Sequence, residues 1–133
     1  MSGIQIVGAL LQNDANLTQK VPPERMKAGK LPDSVVLPAL LLRSISLVER
    51  QTLKRGHTVR TAERIAVTVR AASYRDQAAI IRMIRAACAG RQGIIAGFSG
   101  VAVHSAGTGP DLLGPGDSFE QTQDFRVSYD APA

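Results

Sequence analysis

The chain is poor in the residue types that most often announce a chemical site. It has one cysteine, two histidines and no tryptophan, and aromatics make up 4% of its 133 residues. A lone thiol, Cys88, forms no internal disulfide, so nothing in the sequence asks for an oxidising compartment. His57, His104 and that cysteine have no metal-ligand spacing. Long apolar runs are also missing. No stretch of about 18 apolar residues occurs, which excludes a membrane-spanning helix. Met1 to Leu11 has no basic segment and carries Gln5 inside its apolar stretch, unlike a secretory signal. A cytoplasmic site of synthesis is expected.

What is present fits one ordinary domain spanning residues 1–133, with a mass of 14.1 kDa. Hydrophobic residues make up 44% of it, and with so few aromatics the core must be aliphatic. The net charge is +5, but its distribution is more informative than its size. All of the 16 Lys and Arg residues except Arg126 lie between Lys20 and Arg91. Beyond them come Asp111, Asp117, Glu120, Asp124 and Asp130. Self-complementary association or a basic face near nucleic acid would use such a split. A solvated surface with segregated signs fits it as well.

The order of elements can be read from periodicity and breakers. Ile4, Val7, Leu10 and Leu11 recur on one helical face, which predicts a short helix over Gly3 to Gln12. Asn13 to Pro38 carries four prolines and reads as a long irregular arm. Ala39 to Arg50 reads as a strand buried on both faces in its first half. Gln51 to Thr61 reads as the tip of a basic hairpin. Glu63 to Ala72 alternates, with Ile65, Val67, Val69 and Ala71 on one face and Arg64, Thr68 and Arg70 on the other. Ser73 caps a helix over Tyr74 to Ala89, with Ile80, Ile81, Ile84, Ala87 and Cys88 inward and Gly90 ending it. Phe98 to Ser105 and Phe119 to Tyr129 read as strands, joined by a Gly/Pro loop over Gly107 to Asp117. The expected fold is α+β: a mostly antiparallel four-stranded sheet, with an N-terminal and a central helix on one face and a long arm after the first helix.

No constellation in the sequence supports catalysis, and no cofactor or metal is expected. Cys88 falls on the apolar side of its helix, whereas a reactive thiolate wants a helix N-terminus or a cationic neighbour. The run from Gly107 to Asp117 lacks the G-K-[ST] ending of a phosphate loop and leads into a strand. The basic hairpin, with Arg50, Lys54, Arg55, His57 and Arg60, could touch phosphates by charge, but it has no aromatic residue for base stacking.

Two stretches carry a resemblance. Arg64-Ile-Ala-Val-Thr-Val-Arg-Ala-Ala-Ser-Tyr, continuing through Arg75 to Gly90, resembles the strand-then-helix core of phage tail completion proteins. Gln121-Thr-Gln-Asp-Phe-Arg-Val-Ser-Tyr129 resembles the last strand of that family. The order of elements is similar over roughly residues 37–130. The stretch Leu37-Pro-Ala-Leu-Leu-Leu42 departs from the Val-Val-Tyr or Val-Val-Phe with which the family often enters its first strand.

The resemblance implies a non-enzymatic virion protein, a tail terminator whose copies form a homo-oligomeric ring, a hexamer. Such a ring caps the tail tube and joins it to the head-tail connector in the neck of the particle. Its implied partners are itself, the tail tube protein, the connector or stopper protein, and non-specifically the DNA passing through its lumen; no membrane is involved. On this basis Arg64, Arg70, Asp124 and Arg126, the outward sheet positions, are candidates for inter-subunit or tube contact. Lys54, Arg55 and Arg60 are candidates for lumen or connector contact. A head-completion or stopper ring, or a small basic DNA-binding module, are the alternatives.

Overall fold

The computed structural model describes residues 2–133. It opens with helix α1 (Ser2–Gln12), as the 3.6-residue periodicity predicts, although its buried residues are Gly3, Ile6, Val7 and Leu11. Ile4 and Leu10, placed inward by the sequence, are only partly buried against the core. The stretch after α1 is more ordered than its prolines suggest. Asp14 caps a short helix, α2 (Ala15–Lys20), by accepting a hydrogen bond from the Leu17 N–H. A 3-10 turn over Pro23–Arg25 leads into strand β1 (Met26–Ala28). Only the remainder, up to Pro38, is irregular.

Strand β2 (Ala39–Arg50) pairs with β1 in parallel, Met26 facing Leu40. It then forms a long antiparallel hairpin with β3 (Thr58–Ala71). Helix α3 (Tyr74–Cys88) follows, and the Ser73 hydroxyl accepts from the Asp76 N–H as expected. Its far end is held by Arg91, whose guanidinium donates to the carbonyls of Ala86 and Ala87. Gly90 adopts a positive φ of 78°, the left-handed turn that glycine takes without strain. The chain continues through β4 (Gln92–Ile95), β5 (Phe98–Thr108), β6 (Leu112–Leu113) and β7 (Phe119–Pro132).

The sheet therefore differs from the expected one. It has seven strands, not four, in the order β1-β2-β3-β7-β5-β4, with β6 paired to β7. It is mixed rather than mostly antiparallel, and strands hold 45% of the residues, so the helices are the minor part. The three strands that periodicity missed are two to four residues long. At that length no alternation can develop, and such strands exist only because a longer neighbour supplies their hydrogen-bond partners. The last strand is inserted centrally, between β3 and β5.

All three helices cover one face of the sheet. Ile65, Val67, Val69 and Ala71 from β3 meet Phe125, Val127 and Tyr129 from β7 and Val101 and Val103 from β5. Ile80, Ile84 and Cys88 of α3 and Ile6, Val7 and Leu11 of α1 close over them. Burying each Leu, Ile or Val side chain contributes about 1.5–3 kcal/mol, so this aliphatic layer supplies the main driving force.

Polar groups lie inside it too, among them Gln77, Gln123 and a carboxylate that ties three elements together. Glu63 of β3 is 1% exposed. Its Oε1 accepts from the Gly3 N–H (2.9 Å) and the Tyr129 hydroxyl (2.7 Å), and its Oε2 accepts from the Ser44 hydroxyl (2.6 Å). Helix α1 has no acidic residue in its own first turn. The carboxylate from a strand 60 residues away thus answers its positive N-terminal end. The fit is close, since a Cβ on residue 3 would lie 2.6 Å from Glu63 Oε1.

Glu63→Ala should lower unfolding stability by about 3 kcal/mol, because it orphans three buried donors at once. Gly3→Ala should cost about 1–3 kcal/mol by forcing that carboxylate aside. Urea denaturation followed by circular dichroism measures both. Burial, reinforced by Glu63, pushes the Tyr129 hydroxyl up to about 12 from 10.0, and burial pushes the Cys88 thiol up to about 12 from 9.0. Both groups hold their protons more tightly folded than unfolded. Their stabilisation is therefore complete below their ordinary values and is lost as pH rises towards 12. Denaturation midpoints should fall between pH 9 and 12, less steeply in Tyr129→Phe.

Candidate interaction surface

Among the described residues, no helix covers the other face of the sheet. Its side chains are the even-numbered positions of β3 and β7, and the register places them in rows that run across the strands. Arg60 faces Asp130, Ala62 faces Ser128, Arg64 faces Arg126, Ala66 faces Asp124, Thr68 faces Thr122 and Arg70 faces Glu120. The candidates Arg64, Arg70, Asp124 and Arg126 all lie on this face, but they do not play equivalent parts.

Arg70 is an internal strut. It is 8% exposed, its Nε donates to Glu120 at 2.7 Å, and its Nη1 donates to the Pro32 carbonyl at 3.1 Å. The loop before β2 therefore folds over this end of the face and covers it. Arg64 reaches diagonally to Asp124, with Nε at 2.9 Å and Nη2 at 2.7 Å from the same Oδ2. Both residues remain accessible to a partner. Arg126 is exposed and forms no ion pair among the described residues. It stands between two other basic side chains, directly across from Arg64 on β3 and from His104 on β5.

The second group of candidates is divided as well. Lys54 and Arg55 lie at the exposed tip of the β2–β3 hairpin, beside the fully exposed Leu53. Arg60 is not at the tip. It lies within β3 on the helix-free face, where it donates to the Gly100 carbonyl (2.6 Å) and to Asp130 (3.2 Å). Glycine is favoured at position 100. Its φ is +63°, and a Cβ would sit 2.7 Å from Asp130 Oδ2 and 2.9 Å from Arg60 Nη1.

Two adjoining recesses of about 310 and 300 Å³ run over this part of the face, sharing Val48, Ala62 and Arg126. Arg64, Ser46 and Ala106 line one; Arg50, Arg60 and Ser128 line the other. The sequence grouped Arg50 with the hairpin tip and did not single out Ser128 or His104. Extending the period-two alternation of β3 back to Thr58 would have placed Arg60 on this face. The cross-strand rows depend on which strand neighbours which, and no local pattern encodes that.

Little else could carry chemistry. Cys88 is fully buried and its thiol pKa is pushed well up, so it packs rather than reacts. Among the described residues, no three His, Cys, Asp or Glu side chains gather as metal ligands. No helix among them is long and apolar enough to cross a membrane. Asp111 is pinned to α3, accepting from the Tyr74 hydroxyl (3.1 Å) and the Gln77 amide (2.8 Å). This fixes the start of the loop that carries the exposed Leu112 and Leu113.

Comparison with known proteins gives a likeness of fold. No protein-family model matches the chain, and no curated protein matches its sequence. Among solved structures, it is similar to a chain in the virion of a native gene transfer agent particle, with a TM-score of 0.68. The likeness covers 95% of this chain and 92% of that one at 12% sequence identity. The two share a fold along nearly their whole lengths.

Arg70→Ala should cost about 1–3 kcal/mol, since it leaves Glu120 half-buried without its partner and frees the Pro32 loop. Arg126→Gln should leave stability within about 0.5 kcal/mol, or raise it slightly by relieving the like-charge pair with Arg64. Thermal melts of the two variants side by side check the contrast.

Proposed function

We propose that this chain is a structural protein of a phage-like particle, and within it the subunit of a ring that terminates the tail tube and joins it to the head connector. The observation that carries this reading is the end-to-end fold likeness to a chain of a gene transfer agent virion. The strand-then-helix stretch from Arg64 to Gly90, which resembles tail completion proteins, supports the finer assignment. A protein with this job acts by presenting surfaces rather than by catalysis. The helix-free face suits that job, since from Arg64 towards the hairpin it is a charged and accessible sheet surface.

On this reading the protein is non-enzymatic and resides in the neck of the particle. It contacts its own copies, the tube protein and the connector, and the DNA of the lumen without sequence preference. The exposed hairpin tip with Leu53, Lys54 and Arg55 can reach beyond the body of a subunit to the connector or the lumen. A ring is closed when one subunit's surface meets a different surface of the next. The basic middle and acidic last third of the chain are largely paired within the subunit, through Arg60–Asp130, Arg64–Asp124 and Arg70–Glu120, so the charges left for such surfaces are those outside these pairs, Arg50 and Arg126 among them.

Deleting this gene product from the particle that encodes it should leave DNA-filled heads beside unjoined or overlong tails, seen by negative-stain electron microscopy. Heads that have leaked their DNA beside normal tails would instead assign a head-completion role. Infectious, intact particles would refute both, and salt-dependent binding of the purified protein to duplex DNA would then favour a nucleic-acid-binding module.

A further inference from the structure

The helix-free face carries an electrostatic cost that the isolated subunit does not explain. Two arginine pairs lie directly opposite each other across neighbouring strands, Arg50 with Arg60 and Arg64 with Arg126. Like charges so placed are destabilising. Asp130 offsets Arg60 and Asp124 offsets Arg64. Arg50 and Arg126 have no acidic partner among the described residues. The two arginine rows are four residues apart along β3, about 13 Å at roughly 3.3 Å per residue. Between them the floor is small and uncharged, Ala62 and Ser128, with the exposed Val48 at its rim. The result is a trough with two unanswered guanidinium groups and an uncharged base.

A complementary surface exists elsewhere on the same chain. The loop Asp111-Leu-Leu-Gly-Pro-Gly-Asp117 ends in a carboxylate at each side, and no cation pairs with either among the described residues. Leu112 and Leu113 between them are 54% and 74% exposed. Asp117 and an exposed leucine thus match an unpaired guanidinium group and an uncharged floor, while Asp111, which accepts from Tyr74 and Gln77, holds the loop in position. The loop cannot reach its own trough. It adjoins Phe119, which faces Ala71, whereas the near end of the trough is at Arg64, seven residues back along β3. That is about 23 Å at roughly 3.3 Å per strand residue.

We propose that the arginine trough of one subunit receives the Asp111–Asp117 loop of a second copy. The contact joins unlike surfaces, so it repeats head to tail, as ring closure requires. This inference rests on the ring reading above and names the surfaces that the ring uses. A nucleic-acid strand fits the trough less well. Among the described residues, the face offers no aromatic side chain on which bases could stack.

The test uses the full chain in assembled particles. A photo-crosslinking amino acid, p-benzoylphenylalanine, is placed at the exposed rim position Val48, and crosslinked peptides are mapped by mass spectrometry. The expected product joins position 48 to residues 111–117 of another copy. Alongside it, Arg126→Glu and Asp117→Arg should each reduce joined particles about tenfold, and the double reversal should restore them. Melting curves of each purified variant establish that it folds. Crosslinks to DNA, to a different protein or to another part of a second copy overturn the trough–loop contact while leaving the ring reading standing. A chain that never enters particles overturns both.

Discussion

Glu63 is the constraint from which the rest of the structure hangs. A carboxylate inside an aliphatic core is costly unless every lone pair has a donor. Here the donors come from three separate places: the first turn of α1, strand β2 and strand β7. Each partner fixes the position of an element that would otherwise be located by apolar contact alone. Aliphatic side chains of similar size tolerate small slides and rotations, whereas hydrogen bonds near 2.7 Å do not. The buried acid therefore sets where the N-terminal helix begins and how β2 and β7 register against β3.

The two faces of the sheet divide the labour. One is closed by three helices and holds the fold. The other is held by cross-strand pairs: Arg70 with Glu120 under the Pro32 loop, the Thr68 and Thr122 hydroxyls on each other, and Arg64 with Asp124. Along this second face burial falls away from the Arg70 end towards the hairpin. The covered end behaves as interior, and the uncovered end keeps its arginines in reach of a partner. A gradient of this kind lets a subunit be stable alone and still present an unsatisfied surface.

How much of this was legible in the sequence depends on the length of each element. The alternation of Ile65, Val67, Val69 and Ala71, the stripe of α3 and the Ser73 cap could be read directly, because each spans several periods. The strands at Met26–Ala28, Gln92–Ile95 and Leu112–Leu113 could not, since each is created by a neighbour distant in the chain. The prolines before residue 38 concealed α2, although Asp14 was a fair capping signal. Arg64, Arg70, Asp124 and Arg126 could be assigned to one face by period two. That Arg70 is enclosed while Arg126 is free follows from the path of the Pro32 loop and from the strand order. Glu63 was assigned no role, because only the assembled fold brings Gly3, Ser44 and Tyr129 around it.

The central place of β7 has a consequence for how the molecule is made. Strands β3 and β5 are bridged by a strand that follows both of them in the chain, residues 119–132. During synthesis the β2–β3 hairpin and α3 can form early, but they cannot be joined to β4 and β5 until that segment leaves the ribosome. The two parts of the sheet are thus joined only when β7 is in place, whatever has formed before it. The helix-free face is completed at the same moment, since Asp124, Arg126 and Asp130 all stand on that strand opposite β3.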